Sequence, residues 1–327
     1  MKNTRNLILL TLLSFFFFSC EQSSVEQAEP QPKPQPQPVI PLPDVFTQDM
    51  CKEISRDSLK KTVEWLENMG SRFALKDDHR QIALAIKNKF IRYGYANAEI
   101  DSFYMEVKYA GDFYKTWQYN VVATLEGNKY PDSVCILGAH YDSYCKDSDI
   151  FKIAPGANDN ASGVAATLEI ARVLKAKGFK NQKTIKFVAF AAEELGLFGS
   201  SDFAEKQFSK KAKISMMINN DMIANWSQNL TDMCVNINNY ANSQDLLKKA
   251  QEAAKLYTNL KTNNDNTYNK YSDSYSFYRQ GYKALFFISN ANDESYHTTA
   301  DVSAYCNFDF CREVAKLSCA MLMLNNK

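Results

Sequence analysis

Apolar positions along the chain follow two spacings, one typical of helices and one typical of buried strands. Helical spacing predicts helices over residues 55–69, 77–93, 161–177, 244–256 and 308–324. Alternating or continuous apolar runs predict strands over residues 99–109, 119–126, 133–138, 183–191, 214–218 and 284–289. This order of strands and helices predicts an α/β fold. We expect a single domain with a central, mostly parallel mixed sheet flanked by helices, with antiparallel strands allowed at its edges.

The N-terminal segment differs from the rest of the chain. Two basic residues precede an apolar run over residues 7–18, which is shorter than the run of about 20 residues that a membrane-spanning helix needs. This arrangement predicts a signal peptide over residues 1–19. The small residue Ser19 before Cys20 resembles the lipobox of bacterial lipoproteins, and the resemblance implies a lipid on Cys20 as the link to a membrane. Without that lipid, the same segment predicts an ordinary secreted protein.

Residues 20–44 contain seven of the nine Pro residues of the chain. Repeated Gln-Pro pairs favour an extended, semi-rigid conformation, so this segment is expected to be a tether. The chain then divides into a signal peptide (1–19), a Pro-rich tether (20–44) and one folded domain (45–327). A lipid-anchored protein of this kind would lie in the cell envelope, either in the periplasm or on the cell surface.

Histidine and acidic residues lie in five short motifs, four of which follow predicted strands. The candidate residues are His140, Asp159, Glu193, Glu194, Asp221 and His297. Asp159 is the exception, because it lies in the loop that leads into the helix at residue 161. Ligand sites in open α/β sheets form outside the carboxyl ends of the strands, so we expect these side chains to meet in one crevice. Imidazole and carboxylate ligands without thiolate suit hydrolytic zinc, and a further carboxylate beside a ligand suits a general base.

Composition limits the classes of function that these motifs can serve. Lys and Arg number 38 against 37 Asp and Glu, so the chain lacks the basic surplus that nucleic-acid binding favours. Seven Cys follow Cys20, an odd number without a Cys-x-x-Cys pair, and none is assigned to the metal. The third His of the chain, His79, lies among charged residues at a predicted helix start and is expected to be exposed and structural.

The five motifs, in this order, resemble those of the zinc-dependent aminopeptidases of peptidase family M28. The resemblance extends from residue 120 to the final helix and includes residues 120–123, 168–172 and 297–299. It implies a zinc metallopeptidase, a hydrolase that removes N-terminal amino acids from peptide substrates with a free N-terminus. One departure is the Ser-Asp-Ser sequence at residues 272–274, where family members often have Ser-Asp-His, and it leaves the specificity open.

The resemblance also implies a ligand set for two zinc ions (Zn²⁺) per chain. His140 and Asp221 would hold one zinc ion. Glu194 and His297 would hold the other. Asp159 would bridge the two, since a carboxylate can span metal ions about 3.5–4 Å apart.

Two further roles follow from the resemblance. Glu193, adjacent to a ligand, would be the general base that takes the proton of the water between the metals and passes it to the leaving amine. Asp142, two residues after His140, would be the carboxylate that orients the ligand imidazole. An isolated acidic residue is usually a solvated surface group or a cap, so the prediction depends on the five motifs together.

Three alternatives stay open. Glutaminyl cyclases are acyltransferases that share this fold, work with one zinc, and typically carry His-Trp-Asp and Glu-Asp motifs where this chain has Tyr141 and Glu194. A glutamate carboxypeptidase would need a basic pocket, and no Arg cluster near the motifs suggests one. An inactive, tethered binding domain would have no physical reason to keep an acid at position 193. The sequence leaves open the residue preference, for which loops 146–153 and 262–278 are the candidates, and the oligomeric state.

Overall fold

The computed structural model describes residues 42–225 and 233–326. The predicted signal peptide and most of the Pro-rich tether therefore lie outside the described residues. The helices are α1 (Val45–Lys52), α2 (Arg56–Glu67), α3 (His79–Arg92), α4 (Ser162–Ala176), α5 (Phe198–Ser209), α6 (Gln244–Tyr257), α7 (Ser274–Arg279) and α8 (Phe308–Leu324). The strands are β1 (Glu99–Tyr109), β2 (Asp112–Leu125), β3 (Tyr130–His140), β4 (Lys183–Phe190), β5 (Lys213–Asn220), β6 (Cys234–Asn239), β7 (Lys261–Asn263) and β8 (Ala284–Ser289).

These strands form one mixed sheet in the order β1-β2-β4-β3-β5-β8-β6-β7. The four central strands, β4, β3, β5 and β8, run parallel to one another. β2 joins β4 and β6 joins β8 in antiparallel pairs, while β1 is antiparallel to β2 and β7 is parallel to β6. The prediction of a single α/β domain with a mostly parallel mixed sheet flanked by helices is confirmed.

Helices cover both faces of the sheet, and the alternation of side chains along β3 divides the core in two. Leu137 and Ala139 belong to the larger cluster, which contains apolar side chains of α2, α3, α4, α6 and α8. Val134 and Ile136 belong to a second cluster, which contains apolar side chains of α5 and α7. A strand buried on both faces is apolar at successive positions, which is why the run before His140 was recognisable in the sequence.

Asp44 caps the first helix. Its Oδ2 atom accepts hydrogen bonds from the backbone N–H of Thr47 at 2.8 Å and from the Thr47 hydroxyl at 2.6 Å. The cap satisfies one of the N–H groups that lack a partner at a helix start. The apolar pattern did not predict this eight-residue helix. Of the helices that the structure describes, none has both the length and the apolar character of a membrane span.

The hairpin of β1 and β2 is longer than the sequence predicted. β2 begins at Asp112, not at residue 119, and its first residue pairs with Tyr109 across a tight turn. Ala110 and Gly111 form this turn with positive φ angles of 51° and 99°, a geometry that matches the twist of a two-residue hairpin. Most side chains in the first half of β2 are exposed or half-buried, so this part lacked the apolar pattern of a covered strand.

Four further elements, α5, α7, β6 and β7, were missed by the sequence pattern. β6 shows the reason most clearly, because it contains Asn236, Asn238 and Asn239, a residue type that is rare in strands. Asn236 gains hydrogen bonds only through the fold: its side chain donates to the Asp265 carbonyl and accepts from the Asp265 N–H, both at 2.7 Å. Partners distant in sequence thus compensate for a weak local preference.

His79 is buried, with 8% of its surface exposed, so the prediction of an exposed side chain was wrong. Its Nε2 atom lies 2.8 Å from the carbonyl oxygen of Trp117, and its ring stacks on that of Tyr119 at 5.5 Å. Both partners lie on β2. The packing of β2 over the start of α3 covers this residue, and nothing in the charged residues around it in the sequence indicated that contact.

Gly163, in the first turn of α4, allows this helix to approach the end of β5. A Cβ atom at Gly163 would lie 2.1 Å from the Asn220 carbonyl oxygen and 3.0 Å from Ala139 Cβ. The first of these distances is far below any normal contact, and its partner is backbone. The candidate residue Asp221 follows Asn220 directly, so this close approach also helps to define the position of the predicted site.

We expect Gly163→Ala to lower the free energy of unfolding by about 1–3 kcal/mol or more, because the added methyl group forces α4 and β5 apart. Denaturant-induced unfolding followed by circular dichroism measures the change. Gly70→Ala is the control: a Cβ at Gly70 meets nothing within 4 Å, and only its positive φ of 77° opposes the substitution. Equal destabilisation by the two variants would contradict the steric explanation.

Candidate metal centre

The carboxyl ends of the parallel strands bring the motif residues together, as predicted. His140 is the last residue of β3, Asp221 directly follows β5, and Glu193 lies three residues beyond the end of β4. The register aligns these ends, since His140 pairs with Phe190 and Gly138 pairs with Asn219. The predicted crevice therefore forms where three neighbouring strands terminate.

The candidate ligands form two groups that share one carboxylate. His140, Asp159 and Asp221 form the first group, and Asp159, Glu194 and His297 form the second. In the first group, His140 Nε2 lies 3.3 Å from both Asp159 Oδ1 and Asp221 Oδ1. In the second, His297 Nε2 lies 3.1 Å from Asp159 Oδ2 and 2.9 Å from Glu194 Oε2. Asp159 thus presents one oxygen to each group.

Asp301 holds the backbone of the Asp159 loop. Its Oδ1 atom accepts from the Asn158 N–H at 2.7 Å, and its Oδ2 atom accepts from the Asp159 N–H at 3.0 Å. Asp301 belongs to the same short motif as His297, so this single segment contributes to both groups. Burial raises the pKa of Asp301 to about 7, against the effect of these two N–H donors. No role for Asp301 was predicted from the sequence, although its proximity to His297 in the chain was an available signal.

Asp142 connects the first group with the segment that contains Glu193 and Glu194. Its two carboxylate oxygens accept hydrogen bonds from the backbone N–H groups of Glu193 at 3.1 Å and Glu194 at 3.2 Å. Asp142 Oδ1 also lies 3.5 Å from His140 Nδ1, and the Asp142 backbone carbonyl lies 3.2 Å from the same nitrogen. Through these contacts Asp142 can orient three of the candidate residues.

Ser272 holds one oxygen of Asp221. The Ser272 hydroxyl donates to Asp221 Oδ2 at 2.6 Å and accepts from the Asn219 side-chain amide. Asp221 Oδ1, the atom near His140, is left to face the first group. The Ser-Asp-Ser sequence at residues 272–274 thus contains, at a position where it agrees with the family pattern, a residue that contacts a candidate ligand, a role not predicted from the sequence.

The backbone is strained at three positions in and beside the site. Ala192, Met222 and His297 have positive φ angles of 54°, 55° and 59°, which residues other than Gly rarely adopt. Ala192 precedes Glu193, Met222 follows Asp221, and His297 is itself a candidate ligand. The His297 carbonyl accepts a hydrogen bond from the Lys146 N–H at 2.8 Å, which helps to hold this conformation. Strain of this kind concentrates at functional sites, where the surrounding structure maintains it.

Neighbouring carboxylates favour the charged form of both imidazoles. Burial opposes a charge on His140, but carboxylates such as that of Glu193 outweigh it, and the pKa of His140 lies well above its ordinary value. Burial also opposes a charge on His297, yet Asp159 and Glu194 raise its pKa to about 10. Each imidazole is therefore surrounded by negative charge, an environment that also suits a metal cation.

The pKa values of the two neighbouring glutamates, Glu193 and Glu194, are also raised, and here burial is the main cause. Burial, together with the charge of Asp159, raises the pKa of Glu194 to about 8, although His297 acts against the shift. Burial is also the main reason that the pKa of Glu193 lies well above its ordinary value; His140 opposes the shift and Glu194 adds to it. More negative charge gathers here than the imidazoles balance, and a divalent cation would relieve it.

The donor set fits zinc. Each group offers imidazole nitrogen and carboxylate oxygen, the combination that zinc accepts in catalytic sites, with atoms that lie within 4.8 Å of one another. Within the described residues, His297 Nε2 and Glu194 Oε1 are buried and form no hydrogen bond of acceptable geometry. Burying a polar atom without a well-formed hydrogen bond is costly, even where oppositely charged atoms lie near it, so these atoms are better explained as ligands than as structural groups.

A cavity of about 210 Å³ opens beside the two groups and is lined by His140, Asp159, Glu193, Glu194 and Asp221. Its remaining wall is largely apolar and aromatic, with Met222, Tyr268, Tyr271, Phe286, Ile288 and Tyr296 among its residues. Of the two loops expected to form the substrate pocket, residues 262–278 contribute to this wall, and no described residue of 146–153 does.

Comparison with known proteins agrees with the motifs and the fold. Residues 120–322, more than half of the chain, match Peptidase family M28. The chain belongs to this family, as its motifs predicted.

Two curated relatives illustrate the similarity. Over 200 residues, the chain is 36% identical to a probable zinc metalloprotease of Pyrenophora tritici-repentis, a match covering 56% of this chain and 45% of the relative. It is 28% identical over 279 residues to a probable leucine aminopeptidase of Arthroderma otae, covering 81% of this chain and 71% of the relative. The chain spans less than half the length of the first curated relatives that it matches.

Two solved structures show the same fold at low sequence identity. The LapA aminopeptidase of Legionella pneumophila superposes with a TM-score of 0.72 at 22% identity, covering 90% of this chain and 78% of that protein. A glutaminyl cyclase of Fimbriiglobus ruber superposes with a TM-score of 0.68 at 17% identity, covering 83% and 95%. The fold therefore does not by itself separate the peptidase from the cyclase.

We expect zinc to stabilise the metal-free protein, because a ligand that binds only the folded state shifts the unfolding equilibrium. At a hundredfold excess over its Kd, zinc should raise Tm by roughly 5 °C, measured by differential scanning calorimetry after chelator treatment. Mg²⁺, which prefers oxygen ligands and retains its water, is the control and should have little effect. No shift with zinc would contradict the fit of the donor set.

Proposed function

We propose that the protein is a zinc-dependent aminopeptidase that binds two zinc ions and hydrolyses the first peptide bond of substrates with a free N-terminus. The observation that carries the proposal is the shared carboxylate: Asp159 presents Oδ1 to one ligand group and Oδ2 to the other. Membership of peptidase family M28 and the names of the relatives support the same activity.

Five residues would hold the metals. His140 and Asp221 would bind one zinc, Glu194 and His297 the other, and Asp159 both. When bound, zinc acts as a Lewis acid that polarises the scissile carbonyl and makes water a nucleophile at neutral pH. The protein contributes buried, fixed surroundings: His140 and Asp159 are 1% and 5% exposed.

Glu193 is the residue proposed to move protons. It lines the cavity, is 8% exposed, and its Oε2 atom lies 3.9 Å from His140 Nε2. Asp142 fixes its backbone through the N–H group. From this position its carboxylate would accept a proton from the attacking water and return it to the nitrogen of the leaving amine. Asp142 would orient His140 by accepting from Nδ1, which leaves Nε2 for the metal.

The cavity supports substrates with an apolar or aromatic first residue. Met222, Phe286 and Ile288 offer apolar surface, and two Tyr residues of the 262–278 segment add aromatic surface. Burying one such side chain contributes roughly 1.5–3 kcal/mol to binding. The carboxylates that line the cavity beside the two ligand groups would attract the positively charged amino group of the substrate.

A glutaminyl cyclase remains the alternative, because a cyclase shares the fold. That activity would use one zinc to cyclise an N-terminal Gln. The presence of two ligand groups favours the peptidase, since His140 Nε2 and His297 Nε2 each lie near a different oxygen of Asp159.

We expect Glu193→Gln to lower kcat by about 10²–10⁴-fold while both zinc ions are retained, because the amide cannot accept the proton. Turnover of aminoacyl-p-nitroanilides and metal content by atomic absorption measure the two effects. Glu205→Gln is the matched control, since Glu205 is exposed on α5.

Other outcomes separate the alternatives. One zinc per chain together with cyclisation of an N-terminal Gln peptide would indicate the cyclase. Two zinc ions per chain with full activity in Glu193→Gln would remove Glu193 from its proposed role. No zinc and no turnover in the unsubstituted protein would indicate a binding domain.

We further propose that the chain is exported and anchored in the cell envelope by a lipid on Cys20, with residues 20–44 as a tether. Both segments lie largely outside the described residues, and the support comes from their sequence alone. Helix α1 begins at Val45, directly after the proposed tether, and its cap Asp44 is the last residue of that tether.

In a bacterial host, Cys20→Ala should abolish incorporation of radiolabelled palmitate and release the protein from the membrane fraction. The acceptor thiol is lost, whereas the domain from residue 45 onwards is unchanged. Cys51→Ala is the control, since Cys51 is buried in α1. Equal labelling of the unsubstituted protein and Cys20→Ala would contradict the anchor.

A further inference from the structure

Arg72 lies between α2 and α3 and is completely buried, with 0% exposure. Its guanidinium donates hydrogen bonds to four backbone carbonyl oxygens: from Nε to Tyr141 at 2.8 Å, from Nη1 to Pro155 at 2.7 Å and to Leu66 at 3.3 Å, and from Nη2 to Gly156 at 2.7 Å. A single side chain therefore connects three segments of the chain.

The charge of Arg72 is balanced at a distance. Burial lowers its pKa to about 10, and the carboxylates of Asp301, Asp142 and Asp159 act against that shift. Arg72 therefore stays charged at neutral pH. In the described part of the chain its direct partners are carbonyls, and removing such a charge from water is costly unless dipoles and nearby charges compensate. A residue needed only to fill space would not require a charge.

The surrounding chain is shaped to fit the guanidinium. A Cβ atom at Gly156 would lie 2.8 Å from Arg72 Nη2 and 2.5 Å from both the Asp159 carbonyl oxygen and Ser143 Cβ. The Ser143 hydroxyl accepts a hydrogen bond from the backbone N–H of Arg72 at 3.1 Å and donates one to the Ala154 carbonyl at 2.7 Å. These contacts hold two loops, residues 141–143 and 154–156, against one side chain.

Each of the two loops lies close in sequence to a candidate metal ligand. Tyr141 lies directly after His140 and before Asp142, and Gly156 precedes Asp159 by three positions. The planar guanidinium holds the carbonyls of Tyr141 and Gly156 at the same time, so it defines the separation of the segments that bear His140 and Asp159.

We propose that Arg72 is a positioning residue for the metal centre, and this inference rests on the proposed function. By holding the His140 and Asp159 segments in register, it preorganises the ligands for zinc. The two ligand groups depend on it unequally. The first group takes two of its three ligands from the segments that Arg72 holds, whereas the second takes only Asp159.

The test compares zinc affinity at each group separately. Glu194→Ala removes a ligand of the second group and leaves the first, and Asp221→Ala does the reverse. Arg72→Lys is then added to each of these variants. Lys keeps the charge but cannot donate to four carbonyls from one plane. Zinc Kd is measured by competition with a chromophoric chelator, which requires no catalytic activity.

We expect Arg72→Lys to weaken zinc binding on the order of 10- to 100-fold at the first group, the range seen when partners of metal ligands are removed. The loss at the second group should be smaller. Glu169→Gln is the control: Glu169 is a buried carboxylate that accepts from the Ser55 backbone N–H and the Ser58 hydroxyl at the start of α2, and it lies outside the five motifs that contain the candidate ligands. It should lower Tm and leave both zinc Kd values unchanged.

Ser143→Ala is the second variant, which decides the question if Arg72→Lys does not fold. It keeps the guanidinium and removes the hydrogen bonds through which Ser143 links Arg72 to Ala154. We therefore expect a loss of zinc affinity at the first group that is smaller than the loss in Arg72→Lys. Unchanged affinity at the first group, or equal losses at both groups, would overturn the inference while leaving the metal site intact. An unsubstituted protein that binds no zinc would overturn the proposed function and this inference together.

Discussion

Negative charge held away from water is the constraint on which the site depends. Asp159, Glu193 and Asp221 are each at least nine-tenths buried. Glu193 and Asp221 follow the ends of β4 and β5, and Asp159 lies in the segment that leads into α4. Carboxylates so close together repel one another strongly in a low-dielectric environment, and burial itself disfavours their charged forms. The arrangement can persist only if hydrogen-bond donors and cations share the charge. The fold supplies the donors, and the two ligand groups are arranged so that metal cations could supply the rest.

Three of the candidate ligands are each held by a residue that is not itself a ligand. Asp301 holds the backbone of Asp159, Ser272 holds one oxygen of Asp221, and Asp142 accepts from the N–H of Glu194. Arg72 lies behind two of the ligand segments and connects them through backbone carbonyls. These supports fix orientation before any metal binds, which lowers the cost of organising ligands around it.

The fold and the site make separate contributions to the assignment. The fold is shared with the LapA aminopeptidase and with a glutaminyl cyclase, so it restricts the function without selecting it. What favours a peptidase is local: one carboxylate faces two imidazoles, and a second acid, Glu193, lies beside a ligand without belonging to either group.

The amino-acid sequence was enough to locate the segments that form the central strands and the residue types that follow them. Apolar runs are local, and β1, β8 and α8 have the predicted bounds. Sequence also supplied the residue types that suit zinc. The groups that support the candidate ligands could be found only in the folded chain: Arg72 contacts Gly156 across 84 positions of sequence, and Asp301 contacts Asp159 across 142. Tertiary structure likewise covered His79 and drew Asn-rich β6 into the sheet. Such partners meet only when segments distant in sequence pack together, whereas the spacing of apolar residues reflects only the local structure of each segment.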